Sequence, residues 1–116
     1  MTPIVTYSPK PSEQPVLQTI VWVKKSTYNR GDKVQFKVYV MSSNVPIENA
    51  IVNVSVIDPN GQIVIGSGRT SSNGSMDFIY WSSKQNPRGL YTITSTSEKS
   101  GYVSTQGSSS FVLRKD

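Results

Sequence analysis

The side chains best equipped for acid–base chemistry are seven carboxylates: Glu13, Asp32, Glu48, Asp58, Asp77, Glu98 and Asp116. The chain has no Cys and no His. That removes the thiolate and imidazole nucleophiles, the imidazole base, and the usual nitrogen- and sulfur-ligated zinc site. Hydrolysis of a glycosidic bond would need two carboxylates facing each other across it. No such pair stands out. Most of the acids fall in turns or at strand ends, where turn chemistry selects them. Asp77 lies mid-strand, but its side chain alternates with Met76 and Phe78 and so should point to water. No catalytic residue is assigned, and the chain is read as not an enzyme.

Oxygen-rich loops raise calcium. Asp58 and Asn60 share a turn, and Asp77 or Asn73 could join them. The sequence lacks a dense Asp/Asn repeat, so a plain turn is the preferred reading. No metal ligand and no cofactor are assigned.

Large aromatics offer flat apolar surfaces on which sugar rings stack. Trp22, Tyr39 and Trp81 all fall on outward positions by the alternation of their strands. Three such rings are more than a bland surface shows. They fit a ligand face, a contact with a neighbouring domain or the N-terminal arm, or scattered surface. Lys24, Lys25, Lys33 and Lys37 could share that face, within a formal net charge of +5. A basic excess raises anionic polymers. No nucleic-acid motif accompanies it, and outward lysines also discourage edge-to-edge pairing. No specific nucleic acid is expected. Two N-x-S sequons make Asn53 and Asn73 candidate glycosylation sites, one on an outer strand face and one at a hairpin tip.

The elements that must position these residues are strands. Period-2 alternation dominates and no helical period occurs. Leu17 to Ser26 reads as a strand with Val21 and Val23 on one face and Trp22 and Lys24 on the other. Tyr28 to Lys33 reads as a turn. Lys33 to Ser42 is the clearest strand, with Val34, Phe36, Val38 and Val40 inward. Further strands carry inward Val52, Val54 and Val56, then Met76, Phe78 and Tyr80, then Tyr91 and Ile93, and last Phe111 and Leu113. Gln62 to Gly68 completes a hairpin behind the turn Asp58-Pro59-Asn60-Gly61. Asn73-Gly74 suits a type I′ hairpin turn. The Ser and Thr of "LYTITSTSE" read as a solvent face. About seven strands with turns between them predict an all-β antiparallel sandwich over residues 17–116. Residues 1–16, with Pro3, Pro9, Pro11 and Pro15, read as a linker or extended arm. In another reading Ile4, Val5 and Tyr7 pair as a strand at a sheet edge.

The order of Gly31, Val34 and Val38, then Pro46, Asn49-Ala50, Val52 and Val54, then Asp58-Pro59-Asn60-Gly61, Thr70, Asn73-Gly74, and Gly89, Tyr91 and Ile93 resembles a known pattern. It is similar to the immunoglobulin-like modules of prokaryotic surface proteins and to macroglobulin-type sandwich domains. The likeness covers Val16 to Leu113. It implies a non-catalytic module, serving as spacer, stalk, adhesion domain or accessory domain of a secreted enzyme. It also implies that Tyr91 sits at a sheet corner with its phenol bonded to backbone.

The expected function is therefore that of an immunoglobulin-like module of a larger exported or cell-surface protein, a spacer or protein/cell-surface interaction domain. The alternative is a carbohydrate- or polymer-binding accessory domain whose face comprises Trp22, Tyr39, Trp81, Lys24 and Lys37. The expected partners are neighbouring domains of the parent chain, another surface protein or a polysaccharide. No stretch is long and apolar enough for a spanning helix and no signal peptide is visible. The chain reads as a piece of a longer protein, with Met1 an added start residue.

Overall fold

A computed structural model describes residues 14–114. The arm expected over 1–16 falls almost wholly outside that range. So do Ile4, Val5 and Tyr7.

The described chain holds nine strands. They are β1 (Gln18–Val23), β2 (Thr27–Asn29), β3 (Lys33–Ser42), β4 (Val45–Pro46), β5 (Ile51–Ile57), β6 (Ile63–Arg69), β7 (Ser75–Trp81), β8 (Gly89–Glu98) and β9 (Thr105–Arg114). In the first sheet β3 is central, with β1 on one side and β4 and β7 in succession on the other. The second sheet runs β2-β9-β8-β5-β6. This is the expected sandwich, with two short strands added.

Alternation explains why the sheets face each other. Val34, Phe36, Val38 and Val40 of β3 are all buried, as are Val52, Val54 and Val56 of β5. Tyr91, Ile93, Phe111 and Leu113 complete the wall from β8 and β9. Phe36 stacks on Phe78 at 5.4 Å, and Tyr91 on Phe111 at 5.0 Å. Burying one such side chain contributes about 1.5–3 kcal/mol. At Gly66 and Gly68 the inner face of β6 lacks side chains, which leaves room for Phe78 and Met76.

Three expectations are corrected. Tyr28 was expected in a turn, because Asn29-Arg30-Gly31-Asp32 follows it. It is instead buried in β2, which pairs parallel to β9 through Tyr28 and Leu113. Its ring meets Phe111 edge-on at 5.8 Å, and its hydroxyl accepts from the Lys25 amide at 3.1 Å. Burial of an aromatic body with a satisfied hydroxyl outweighs local turn preference.

The Ser and Thr after Tyr91 do not all face water. Ser95 and Ser97 continue the inward row of Tyr91 and Ile93 and are completely buried. Small side chains there let β1 come close. The Thr19 hydroxyl lies 2.6 Å from Ser97 Oγ and 2.9 Å from Thr105 Oγ1. An ideal Cβ on Gly107 would lie 2.1 Å from the Thr19 carbonyl oxygen. The two sheets therefore join through hydroxyls at this pole and through apolar side chains elsewhere.

The type I′ turn also lies elsewhere. Ser43 and Asn44, with φ of 51° and 67°, form the two-residue loop between paired Ser42 and Val45. In the Asn73-Gly74 pair only Gly74 has positive φ, and its amide donates to Ser71 O. That is a three-residue turn ending in a left-handed glycine.

The corner expectation holds. The Tyr91 hydroxyl donates to Pro87 O at 2.7 Å. Burial pushes its phenol up to about 12, with Tyr80 and Asp58 adding to the rise. The fold thus favours the neutral phenol over a form that ordinarily ionises at 10.0. The resulting stability is whole below about pH 10 and lost as pH climbs towards 12.

Two outcomes follow, both read by thermal or denaturant melts. Tyr91→Phe should cost about 1–2 kcal/mol at neutral pH and flatten the decline in stability between about pH 10 and 12. Gly107→Val should cost about 2–3 kcal/mol by overpacking the contact with β1. Equal alkaline slopes in Tyr91→Phe and the parent, or a silent Gly107→Val, would contradict these assignments.

Candidate functional site

All five sequence-predicted face residues lie on one surface, the outer face of the first sheet. Its geometry follows from register. Trp22 on β1 pairs with Lys37 on β3, which pairs with Asp77 on β7. One row away, Ile20, Tyr39 and Ser75 align. On the other side, the Lys24 amide bonds to Gln35 O, and Gln35 pairs with Ile79. At the far end Lys33 pairs with Trp81. Ordinary strand spacing puts Trp22 and Tyr39 about 8 Å apart and Trp81 roughly 16 Å from Trp22. The three aromatics are thus not one continuous row.

The rings and the lysines are organised together. Lys37 Nζ lies 5.8 Å from the centroid of Tyr39 and 3.5 Å from Asp77 Oδ1. Lys33 Nζ lies 5.6 Å from the centroid of Trp81. Such contacts hold flexible lysines near the sheet at about 0.5–1 kcal/mol each. The Lys37–Asp77 pair is largely solvated and adds little to stability. Lys24 Nζ donates to Gln35 Oε1 at 3.3 Å. Trp22 is 51% exposed and Trp81 is 70% exposed.

Between Trp22 and Ile79 the face sinks into a trough of about 450 Å3, with Lys24, Gln35, Lys37 and Asp77 along it. Phe36 and Phe78 also line it, so its lining sets apolar side chains beside two lysines and one acid. It can hold a flat apolar ring edge beside an anionic group. Sequence parity finds the residues of this face. The trough itself depends on the register between β1, β3 and β7, which parity does not supply.

The remaining candidates are dispersed. Asp58 Oδ1 accepts from the Asn60 and Gln62 amides at 2.8 and 2.9 Å, which is turn chemistry. Asp77 belongs to the other sheet, beside Lys37. Among the described residues no group of three or more His, Cys, Asp or Glu comes together in a way that could hold a metal. Asn53 is exposed on the outer face of β5, and Asn73 is exposed in the turn before β7. Sequence reasoning missed the second apolar exposure, on edge strand β6, where Ile65 is 75% exposed beside Ile63 and Val64. The run of three β-branched residues was its signal. A broader depression, of about 730 Å3, lies where the chain leaves the sandwich, lined by Asn29, Arg88, Gly89, Leu113 and Arg114.

No family model matches this sequence, and no curated protein does. Solved structures do match in fold. A tetra-tandem repeat in the extending region of a large adhesion protein aligns with TM-score 0.67 and 16% identity, over 88% of this chain. The chain spans 25% of that tetra-tandem-repeat chain. A CARDB domain from Pyrococcus furiosus, solved with di-metal ions, aligns with TM-score 0.59 and 12% identity, over 90% of this chain and 97% of that one. The alkylpurine DNA glycosylase AlkC of Pseudomonas fluorescens, bound to abasic-site DNA, aligns with TM-score 0.52 and 12% identity, over 87% of this chain and 30% of that one. The chain has the immunoglobulin-like sandwich fold of prokaryotic modules, as the sequence resemblance implied. At such identities the likeness is one of fold, and the same fold serves different functions.

The charge on the face is testable with quenchers of tryptophan emission. Iodide should quench strongly and caesium weakly, because Lys24, Lys33 and Lys37 gather anions near both indoles. In Lys33→Ala/Lys37→Ala the two quenching constants should approach each other. Equal constants in the parent would contradict the assigned charge.

Proposed function

We propose that this chain is a non-catalytic module of a longer exported or cell-surface protein, where it acts as a spacer that sets distance and presents a face. The carrying observation is polarity of the chain path. At one pole Val16 bridges to Val103, and Pro15 O accepts the Val103 amide at 2.9 Å. At the other pole Arg114 lies beside Asn29, and Leu113 pairs with Gly89. The full length of β9 separates them, about 33 Å for its ten residues. A module entered at one end and left at the other lengthens a chain when repeated. The fold likeness to a repeat from the extending region of an adhesion protein supports this reading.

Its interior is suited to that work. Hydrogen-bonded β8 and β9 pair from Gly89–Leu113 to Ser97–Thr105, so load along the chain axis falls across the ladder. The absence of Cys agrees with a module that relies on burial instead of disulfides. The dispersed carboxylates favour the non-catalytic reading. Asp32 accepts from the Asn29 amide, Asp58 caps its own turn, and Asp77 faces Lys37. The Ser- and Thr-rich outer surface suits an extracellular setting. Residues 17–116 form the module in this reading, and residues 1–16 form the connection to a preceding domain. Among the described residues no helix is long and apolar enough to cross a membrane.

Two and then three copies of the full chain, joined head to tail, test the spacer. Small-angle scattering should show the maximum dimension growing by at least about 33 Å per added copy. Copies that collapse side by side, with little growth in length, would overturn it.

A further inference from the structure

The trough on the first sheet has no part in the spacer role, and its chemistry is specific. We infer that it binds an acidic polysaccharide, a chain of sugar rings bearing carboxylates. The inference adds a ligand to the module and does not depend on how copies are joined.

Three features carry it. The first is shape. Trp22 and Ile79 wall a trough of about 450 Å3 that crosses three strands and is open to solvent along the face. An extended polymer can lie in it, with a sugar ring against the indole.

The second is charge. Lys24, Lys33 and Lys37 stand against one acid, Asp77, on this face. Repulsion between the ammonium groups is relieved by an anionic polymer laid across them. Lys37 is held between Asp77 and the Tyr39 ring, and Lys24 by Gln35 Oε1. Their positions are therefore partly set before a ligand arrives, which lowers the ordering cost of binding.

The third is the choice of cation. Among the described residues, the basic side chains on this face are lysines. Arg69 and Arg114 belong to the second sheet, and Arg30 and Arg88 to loops outside the first sheet. Arginine forks suit bidentate recognition of phosphate, whereas lysines act as hydrated point charges. A carboxylated sugar, with one diffuse charge per acidic ring and hydroxyls for Gln35, matches this set. Nucleic acid matches it less well. Single-strand-binding sheets offer open rings to successive bases, but here Lys33 and Lys37 lie over Trp81 and Tyr39.

The test uses the full chain and three polymers: polygalacturonate, neutral dextran and single-stranded poly(dT). Affinity gel electrophoresis and Trp emission report binding. Polygalacturonate should retard the protein and shift emission saturably, with affinity falling as salt rises. Trp22→Ala and Lys24→Gln/Lys37→Gln should each weaken the affinity by about tenfold, the loss of one good contact. Lys99→Ala, on the far side of the fold, should leave it unchanged. Melting curves confirm that the exposed substitutions leave the fold intact, and Lys24→Gln alone serves if the double variant does not. No saturable response to polygalacturonate, equal binding of dextran, tighter binding of poly(dT), or full affinity in folded Trp22→Ala would overturn the inference.

Discussion

Everything in this module depends on keeping water out from between two sheets. The chain has no Cys, so no disulfide shares that duty. Contact between the valine row of β3 and the rows of β5 and β8 must offset the ordering of the strands. The aromatic group of Tyr28, Tyr80, Tyr91 and Phe111 thickens the seal at the pole where the chain leaves. At the opposite pole the seal is thin. Gly107, Ser95 and Ser97 replace large side chains there, and the backbone of β1 fills the space they leave. A buried hydroxyl is tolerable only with a partner. Ser97 has one in Thr19. Ser95 Oγ is buried without one among the described residues, a local cost accepted for close strand approach.

That unequal seal explains which parts of the fold were legible in the sequence. Alternation in β3 and β5 announces itself, because Val34, Phe36, Val38 and Val40, and Val52, Val54 and Val56, all fall on one parity, with Lys33, Gln35, Lys37, Asn53 and Ser55 on the other. The same parity runs through β8, but serine disguises it after Ile93. Polarity was a poor guide to side there, since a small hydroxyl can enter a core where the opposing backbone is near. Tyr28 was hidden by its neighbours. Four turn-forming residues follow it, and its strand is only three residues long, paired in parallel to a segment more than eighty residues away. No local signal reports such a partner. Ser43-Asn44 took the left-handed turn that Asn73-Gly74 was expected to take, because the loop length, not the dipeptide, sets the turn type.

The outer face was legible for the same reason that the core was. Inward and outward rows are two readings of one alternation, so Trp22, Lys24, Lys37, Tyr39 and Trp81 could be placed together before any register was known. What alternation leaves open is which outward residues become neighbours. Pairing Trp22 with Lys37 and Asp77 makes a trough; a slip of two residues would keep every side chain outward and bring Trp22 beside Gln35 or Tyr39 instead. Register is set by the buried side, where Val21 meets Val38 and Phe36 meets Phe78. The chemistry offered to solvent is thus fixed by packing that solvent never touches.

This coupling has a consequence for how such a module can change. Substitutions at the outward residues of the trough, Trp22, Lys24, Gln35, Lys37, Asp77 and Ile79, alter the exposed surface at little cost, because those side chains contribute little to the seal. Substitutions at Val38, Phe36 or Phe78 act on both, since any shift in the register of β1 or β7 realigns the lysines with the rings. The ends are a third region: Val16 pairs with Val103 at one pole, and Asn29 with Arg114 at the other. A chain assembled from such units can therefore vary what it presents along its length while keeping the spacing and direction of its units, so long as each copy preserves the buried row that aligns its strands.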